Sequence, residues 1–130
     1  MEKIGLGIIG LGYIGKLHMK HSLKLPNVNL VGVADFSKKA QKEARNAGVK
    51  KIFSKYEQLL QEPEIDAVII SLPTHLHLQC VEQAAEAGKN IFLEKPIARN
   101  VEEGKKIVTV AHKNSVKLMM GYQLRFNKFF

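Results

Sequence analysis

The segment that most constrains the fold is an apolar stretch near the N-terminus that ends in three glycines. Residues 3–15 read KIGLGIIGLGYIG, and Gly10, Gly12 and Gly15 have the spacing G-x-G-x-x-G. The aliphatic residues before Gly10 favour a strand, and the glycines favour a tight turn into a helix. The N-terminus of such a helix offers free N–H groups and a positive dipole end to a phosphate. Glycine-rich turns of this kind also occur without a ligand, so the motif needs further support.

In a dinucleotide-binding turn, each glycine has its own role. Gly10 is predicted to permit the tight turn, Gly12 to let a pyrophosphate approach the backbone, and Gly15 to let the helix pack on the sheet. Tyr13 and Ile14 lie between the last two glycines. We therefore include both in the predicted cofactor-binding segment.

The rest of the chain alternates between strand and helix patterns. The predicted strands cover residues 4–9, 28–34, 51–53, 67–71, 90–93 and 118–121. Helices are predicted between them, beginning with residues 14–25 and 37–47. This alternation predicts an α/β fold of the Rossmann type, a doubly wound parallel sheet of order 3-2-1-4-5-6 with helices on both faces.

Three helix starts carry predicted capping residues. Ser54 with Glu57 forms a capping box, Thr74 can cap the helix after the fourth strand, and Asn100 with Glu103 can cap the last helix. The apolar side chains of that last helix are predicted to face the core, namely those of Val101, Ile107, Val108 and Ala111.

Asp35 strengthens the interpretation of the glycine motif. It ends the second strand, 20 residues after Gly15, where a carboxylate can accept hydrogen bonds from the adenosine ribose. It could equally cap the next helix, which begins near Ser37, and the two roles are compatible. Its charge would repel a 2′-phosphate, although Lys38 could reduce that effect. We predict NAD as the cofactor, with NADP as the alternative.

Lys95 follows the fifth predicted strand and lies between Glu94 and Pro96. Desolvation at this sheet edge would lower the pKa of the lysine, which could then exchange a proton with a substrate hydroxyl. The alternative is an exposed lysine paired with Glu94. We also expect a cis Lys95-Pro96 peptide, which would turn the lysine into the cleft.

The histidines and the single cysteine do not indicate a metal site. His75 with His77, and His18 with His21, lack a carboxylate or cysteine that would complete a zinc site. We expect His18 to be a hydrogen-bonded core residue, and His77 to line the nicotinamide pocket. Cys80 falls in a helical pattern and is expected to be a reduced packing residue.

Composition limits the classes of protein that fit. The 130 residues are 45% hydrophobic and lack both a signal-peptide pattern and an apolar run near the roughly 20 residues of a membrane span. We expect one soluble, cytoplasmic domain without membrane contact. The net charge of +8 fits a lysine-rich surface or capture of an anionic dinucleotide. No recognition motif accompanies it, so we do not predict nucleic-acid binding.

Four segments together carry a family resemblance. They are GLGYIG, Asp35, the turn LPTHLH at residues 72–77, and AGKNIFLEKP at residues 87–96. With them the chain resembles the glucose-fructose oxidoreductase, inositol dehydrogenase and MocA family over essentially all of its length.

The resemblance implies an NAD(P)-binding domain at residues 1–121, with residues 122–130 beginning a second domain that completes the substrate site and usually mediates homo-oligomerisation. It implies an NAD(P)-dependent oxidoreductase acting on a sugar, nucleotide-sugar or polyol, with Lys95 beside substrate and nicotinamide as the catalytic residue. The other catalytic groups of the family belong to the second domain, so this chain alone is expected to bind cofactor without turnover. A stand-alone NAD(P)-binding sensor is the alternative.

The resemblance also implies further cofactor-binding residues. Leu72 stands where the family most often has threonine, and Lys128 where a proline often follows the R-F-N segment. Besides the glycine turn, Asp35 and Lys95, the residues expected near the cofactor are Ser71, Leu72, Pro73, His77, Glu94, Gln123 and Arg125.

Overall fold

The computed structural model describes residues 2–122. Its core is one six-stranded parallel sheet in the order β3-β2-β1-β4-β5-β6, which confirms the predicted topology. The strands are β1 Ile4–Ile9, β2 Val28–Ala34, β3 Lys51–Phe53, β4 Ala67–Ile70, β5 Asn90–Leu93 and β6 Leu118–Met120. The helices are α1 Tyr13–Ser22, α2 Lys38–Asn46, α3 Tyr56–Leu59, α4 His77–Glu86 and α5 Val101–Lys113.

The sheet has a hydrophobic core on each face. Ile8 belongs to the core under α1 and α2, whereas Ile9 belongs to the core under α3, α4 and α5. The two neighbours face opposite sides because side chains alternate along a strand. The first core includes Met19, Val33, Ala44 and Val49, and the second includes Leu59, Ile70, Val81, Cys80 and Ile107.

The strand register brings four chain segments together at one edge of the sheet. Ile9 of β1 pairs with Ala34 of β2 and with Ile70 of β4. Ile70 in turn pairs with Leu93 of β5. The residues that follow these strand ends, Gly10, Asp35, Ser71 and Glu94, therefore emerge side by side at the carboxyl edge, where ligands of this fold class bind.

Helix starts agree with the predictions only in part. Asn100 caps α5, because its side chain accepts a hydrogen bond from the Glu103 N–H at 2.9 Å. The Ser54 capping box is wrong, since α3 follows Lys55 without a side-chain cap. The Thr74 cap is also wrong, because Thr74 begins a short 3₁₀ turn and α4 starts at His77.

Further differences from the predictions lie in α1, α2 and α5; α2 is one residue shorter at each end than predicted. α1 ends at Ser22, three residues before the predicted end. Ile107 and Ala111 are buried as predicted, but Val101 and Val108 are 74% and 54% exposed. A helix turns by about 100° per residue, so Val108 points away from the buried line through Ile107 and Ala111.

Candidate cofactor site

Two of the three motif glycines are required by the packing of the turn. Gly10 has a φ of +93°, and a side chain there would meet the carbonyl oxygen of Ser71. A side chain at Gly15 would meet the carbonyl oxygen of Gly10. At Gly12, by contrast, an added Cβ would find nothing within 4 Å. The open space at Gly12 is therefore available to a ligand.

This open space lies at the N-terminus of α1. Gly12 is the N-cap residue, and the first helical hydrogen bond runs from the Lys16 N–H to the Gly12 oxygen at 2.9 Å. In this helix no side chain caps the N-terminus, and its first turn has no acidic residue. Tyr13 is 78% exposed and Ile14 is also exposed. The N-terminus of α1 thus has the features of a phosphate-binding helix terminus.

The Asp35 carboxylate is fixed beside the glycine turn by two backbone N–H groups. Its Oδ2 accepts from Leu11 at 2.7 Å, and its Oδ1 accepts from Ser37 at 2.8 Å. Ser37 itself caps α2 by accepting from the Ala40 N–H at 3.2 Å. A carboxylate oxygen has a second lone-pair direction, so Asp35 can still accept hydrogen bonds from a ribose.

The segment after β4 packs against the glycine turn and ends in a buried histidine. The Ser71 N–H donates to the Ile9 oxygen at 2.8 Å, and Pro73 is exposed. The Nε2 of His77 lies 2.9 Å from the Leu72 oxygen, and its Nδ1 lies 3.2 Å from the Ile97 oxygen. Each ring nitrogen of His77 therefore lies within hydrogen-bond distance of a backbone carbonyl oxygen.

His77 is 1% exposed, so its ring is not on the surface of the cleft. It joins the turn after β4 to the segment after Pro96. If His77 affects the nicotinamide pocket as predicted, it does so by holding the backbone around Leu72, and its ring nitrogens do not contact the ligand.

Lys95 is exposed, and the Lys95-Pro96 peptide is cis as expected. The prediction required that Lys95 be buried, and residues 2–122 do not bury it. The predicted partner is also different, because Glu94 Oε1 accepts a hydrogen bond from His18 Nε2 at 2.6 Å. His18 is hydrogen-bonded as expected, but it is half-buried at the sheet edge and not a core residue.

Other charged and titratable groups near these elements have structural roles. Lys16 Nζ bonds to Glu43 Oε2 at 2.7 Å, which ties α1 to α2 and lowers the pKa of the Glu43 carboxyl. Cys80 is fully buried, as predicted for a packing residue, and desolvation raises the pKa of its thiol. A raised thiol pKa disfavours the reactive thiolate.

Two features are absent from residues 2–122. No group of three or more His, Cys, Asp and Glu side chains could hold a metal ion there. No helix in that range is both long enough and apolar enough to cross a membrane. Gln123 and Arg125 lie outside the described residues.

Three side-chain interactions have no counterpart in the sequence-based predictions: two lie at the carboxyl edge of the sheet, and that of Lys89 lies at the opposite edge. Gln41 of α2 donates to the Asp35 carbonyl oxygen at 2.7 Å. Lys89 donates to two carbonyl oxygens in the loop before β4. His18 bonds to Glu94, 76 positions away. Only Lys89 had a sequence signal, the A-G-K triplet before β5, whereas the other two contacts have no local pattern.

Comparisons with known proteins agree with this geometry. Residues 4–122 match the family described as "Oxidoreductase family, NAD-binding Rossmann fold". The chain is 35% identical over 128 residues to the scyllo-inositol 2-dehydrogenase (NAD(+)) of Bacillus subtilis (strain 168), covering 97% of the chain and 37% of that protein. It is also 35% identical over 128 residues to the inositol 2-dehydrogenase of Rhizobium meliloti (strain 1021), covering 98% and 38%.

A solved structure gives the same result. The scyllo-inositol dehydrogenase of Lactobacillus casei with bound NAD(H) and scyllo-inositol superposes with a TM-score of 0.92 at 32% identity, covering 98% of this chain and 38% of that one. The chain thus spans less than two fifths of the length of these relatives. Because fold, glycine turn and family match agree, the chain belongs to the glucose-fructose oxidoreductase, inositol dehydrogenase and MocA family, and residues 4–122 form its NAD-binding Rossmann fold.

Proposed function

We propose that this chain binds NAD at the carboxyl edge of its sheet as the cofactor-binding part of an oxidoreductase that acts on a polyol or sugar hydroxyl. The observation that carries the proposal is the open space at Gly12, next to Leu11, whose N–H donates to the Asp35 carboxylate. The polyol class follows from relatives named as inositol dehydrogenases.

Each part of the dinucleotide has a matching group in this proposal. Asp35, at the end of β2, receives the adenosine ribose. The N-terminus of α1 at Gly12 receives the pyrophosphate. The nicotinamide then extends toward β4 and β5, where Ser71, Leu72 and Pro73 follow one strand and Glu94 follows the other.

The Asp35 carboxylate supports NAD over NADP. It lies where the ribose 2′-position is expected, so a 2′-phosphate would meet a negative charge that is held in place by two N–H donors. Lys38 is exposed nearby on α2 and would reduce this penalty. We therefore expect weaker, but measurable, binding of NADPH.

Lys95 is proposed as the proton-transfer residue. Bound nicotinamide supplies hydride exchange with the substrate carbon. The Lys95 amine would take up or return the hydroxyl proton, which requires that a further part of the protein cover this exposed side chain. Homo-oligomerisation is likewise proposed from the family resemblance. In the longer protein, Lys95→Ala should abolish most oxidation of scyllo-inositol while NADH still binds; unchanged turnover would remove Lys95 from the mechanism.

The binding site is tested by titrating NADH and NADPH into the wild-type chain and into Gly12→Ala, Asp35→Ala and Gly104→Ala, followed by nicotinamide fluorescence. Gly12→Ala should weaken NADH binding by about tenfold or more, because its Cβ occupies the phosphate space. Asp35→Ala should weaken NADH binding and reduce the preference for NADH over NADPH.

Gly104→Ala is the matched control. Gly104 lies in α5, where an added Cβ would make only an ordinary contact with Ile97 at 3.8 Å. Its NADH affinity should equal that of the wild type. If the wild type binds neither dinucleotide, or if Gly12→Ala binds NADH unchanged, the proposed site is wrong.

A further inference from the structure

His18 and Glu94 form a pair that joins the phosphate-binding helix to the end of β5. His18 lies on α1, six residues after Gly12, and Glu94 directly precedes Lys95. His18 Nε2 donates to Glu94 Oε1 at 2.6 Å, and both side chains are largely withdrawn from solvent. A short contact of this kind between a histidine and a carboxylate is stronger than a neutral hydrogen bond.

The surroundings of the pair limit where the Glu94 side chain can go. The His18 ring packs edge-on against Phe92, with centroids 5.4 Å apart. A Cβ at Gly121 would lie 3.0 Å from Glu94 Oε2 and 3.0 Å from the Phe92 ring, so a side chain there would press on both groups. The Glu94 N–H also donates to the Ile70 oxygen at 3.1 Å. Backbone and side chain of Glu94 are therefore both held.

Lys95 and Pro96, in contrast, are exposed. The turn is held at both ends: the Ile97 oxygen after it contacts His77 Nδ1, and Glu94 before it contacts His18 on α1. Glu94 is bonded to His18 rather than to Lys95, so its carboxylate does not form an ion pair with the lysine. Its effect is geometric, because it connects the helix that carries Gly12 to the turn that carries Lys95.

We propose that His18 is a positioning residue that acts through Glu94 to hold the Lys95-Pro96 turn in register with α1, and thereby shapes the nicotinamide half of the site. This inference rests on the proposed function. Asp35 lies at the end of β2, on one side of β1, and Glu94 lies at the end of β5, on the other side. The pair should therefore affect the nicotinamide end of a dinucleotide and spare its adenosine end.

The test compares NADH with ADP-ribose, which has the adenosine and both phosphates but lacks nicotinamide. Both ligands are titrated by calorimetry into wild type, His18→Leu, His18→Gln and His21→Leu. His18→Leu should weaken NADH by about tenfold and leave ADP-ribose within about twofold of wild type. His18→Gln should recover most of the NADH affinity, since its amide N–H can still donate to Glu94.

His21 is the matched control, because it is an exposed histidine one turn further along the same helix. His21→Leu should bind both ligands like the wild type. Glu94→Leu should reproduce the selective loss of NADH affinity, and the double variant His18→Leu/Glu94→Leu should lose no more than either single variant. A larger loss in the double variant would mean that the two side chains act separately, which overturns the proposal.

Equal weakening of NADH and ADP-ribose in His18→Leu, or no weakening of either, would also overturn it. A measurement without ligand separates this proposal from the proposed function. In amide NMR spectra of the free chain, His18→Leu should shift the Lys95 resonance and leave that of Asp35 in place. If the wild type binds neither ligand, the proposed function fails, and an unshifted Lys95 resonance would show that the positioning role fails as well.

Discussion

Lys89 shows how a charged residue can serve the fold away from the cofactor site, because it lies at the amino end of β5. It is 7% exposed, and its Nζ donates to the carbonyl oxygens of Glu62 at 2.9 Å and Ile65 at 2.8 Å. These carbonyls belong to the loop that leads into β4, and they lie outside the hydrogen-bonded strand. Because buried carbonyl groups need partners, the lysine holds this loop against the start of β5.

We expect Lys89→Met to lower the free energy of unfolding by about 2 kcal/mol, since the Ile65 oxygen loses its Nζ donor and the Glu62 oxygen keeps only the Ile65 N–H. Lys105→Met is the control, because Lys105 is exposed on α5 and should change stability by less than about 0.5 kcal/mol. Urea unfolding followed by circular dichroism measures both. An equal effect of the two substitutions would contradict the structural role of Lys89.

At the scale of single elements, the helices differ in what begins them. α5 has a side-chain cap from Asn100 and two glutamates in its first turn, which suit the positive end of its dipole. α1 begins at a glycine with no cap and no acidic residue. A helix that is left open at its N-terminus is available to an anion, whereas a capped helix is already satisfied by its own side chain.

The caps can be compared directly. Asn100→Ala should lower stability by about 1 kcal/mol, because the Glu103 N–H loses its acceptor. Ser54→Ala should have almost no effect, since the exposed Ser54 does not cap α3. Thermal unfolding of both variants gives the answer, and a similar loss in Ser54→Ala would mean that α3 is capped in solution.

For the whole molecule, the main property is that both cores share the same strands. Ile8 and Ile9 are adjacent in β1 and fully or almost fully buried, yet they pack against different helix layers. Loss of either layer would expose one face of a strand whose other face forms part of the second core. The two layers should therefore unfold together.

We predict that Ile8→Ala and Ile9→Ala each lower the free energy of unfolding by about 2–5 kcal/mol. Both should shift one common transition, seen at the same urea concentration by circular dichroism and by hydrogen exchange of amides in α1 and α4. Separate midpoints for the two helix layers would show that the cores unfold independently.

Much of this architecture could be predicted from local patterns. The bounds of β2, β3 and β5, the order of the six strands and the cap at Asn100 were all obtained from residue spacing. The failed caps at Ser54 and Thr74 have the same residue types as the successful one. Capping depends on the backbone angle at which the chain enters the helix, and residue type alone does not determine that angle.

The site was predicted less completely, for a physical reason. Gly10, Gly12 and Gly15 share one motif, and only the packed structure separates the two that the fold needs from the one that leaves space. Asp35 could be found from its spacing, but its two N–H donors come from the turn after β1 and from the start of α2. Contacts between distant segments leave no periodic trace in the chain.

The alternation of strands and helices, the glycine turn and the acidic residue after β2 were determined by the sequence alone, because each rests on local steric preferences and side-chain periodicity. Tertiary structure decided the rest. It buried His77, left Lys95 exposed and joined His18 to Glu94. These contacts depend on the order and register of the parallel strands, which bring distant segments together at the carboxyl edge of the sheet. The open space at Gly12 is likewise a tertiary property, because no other segment of residues 2–122 comes within 4 Å of an added Cβ there.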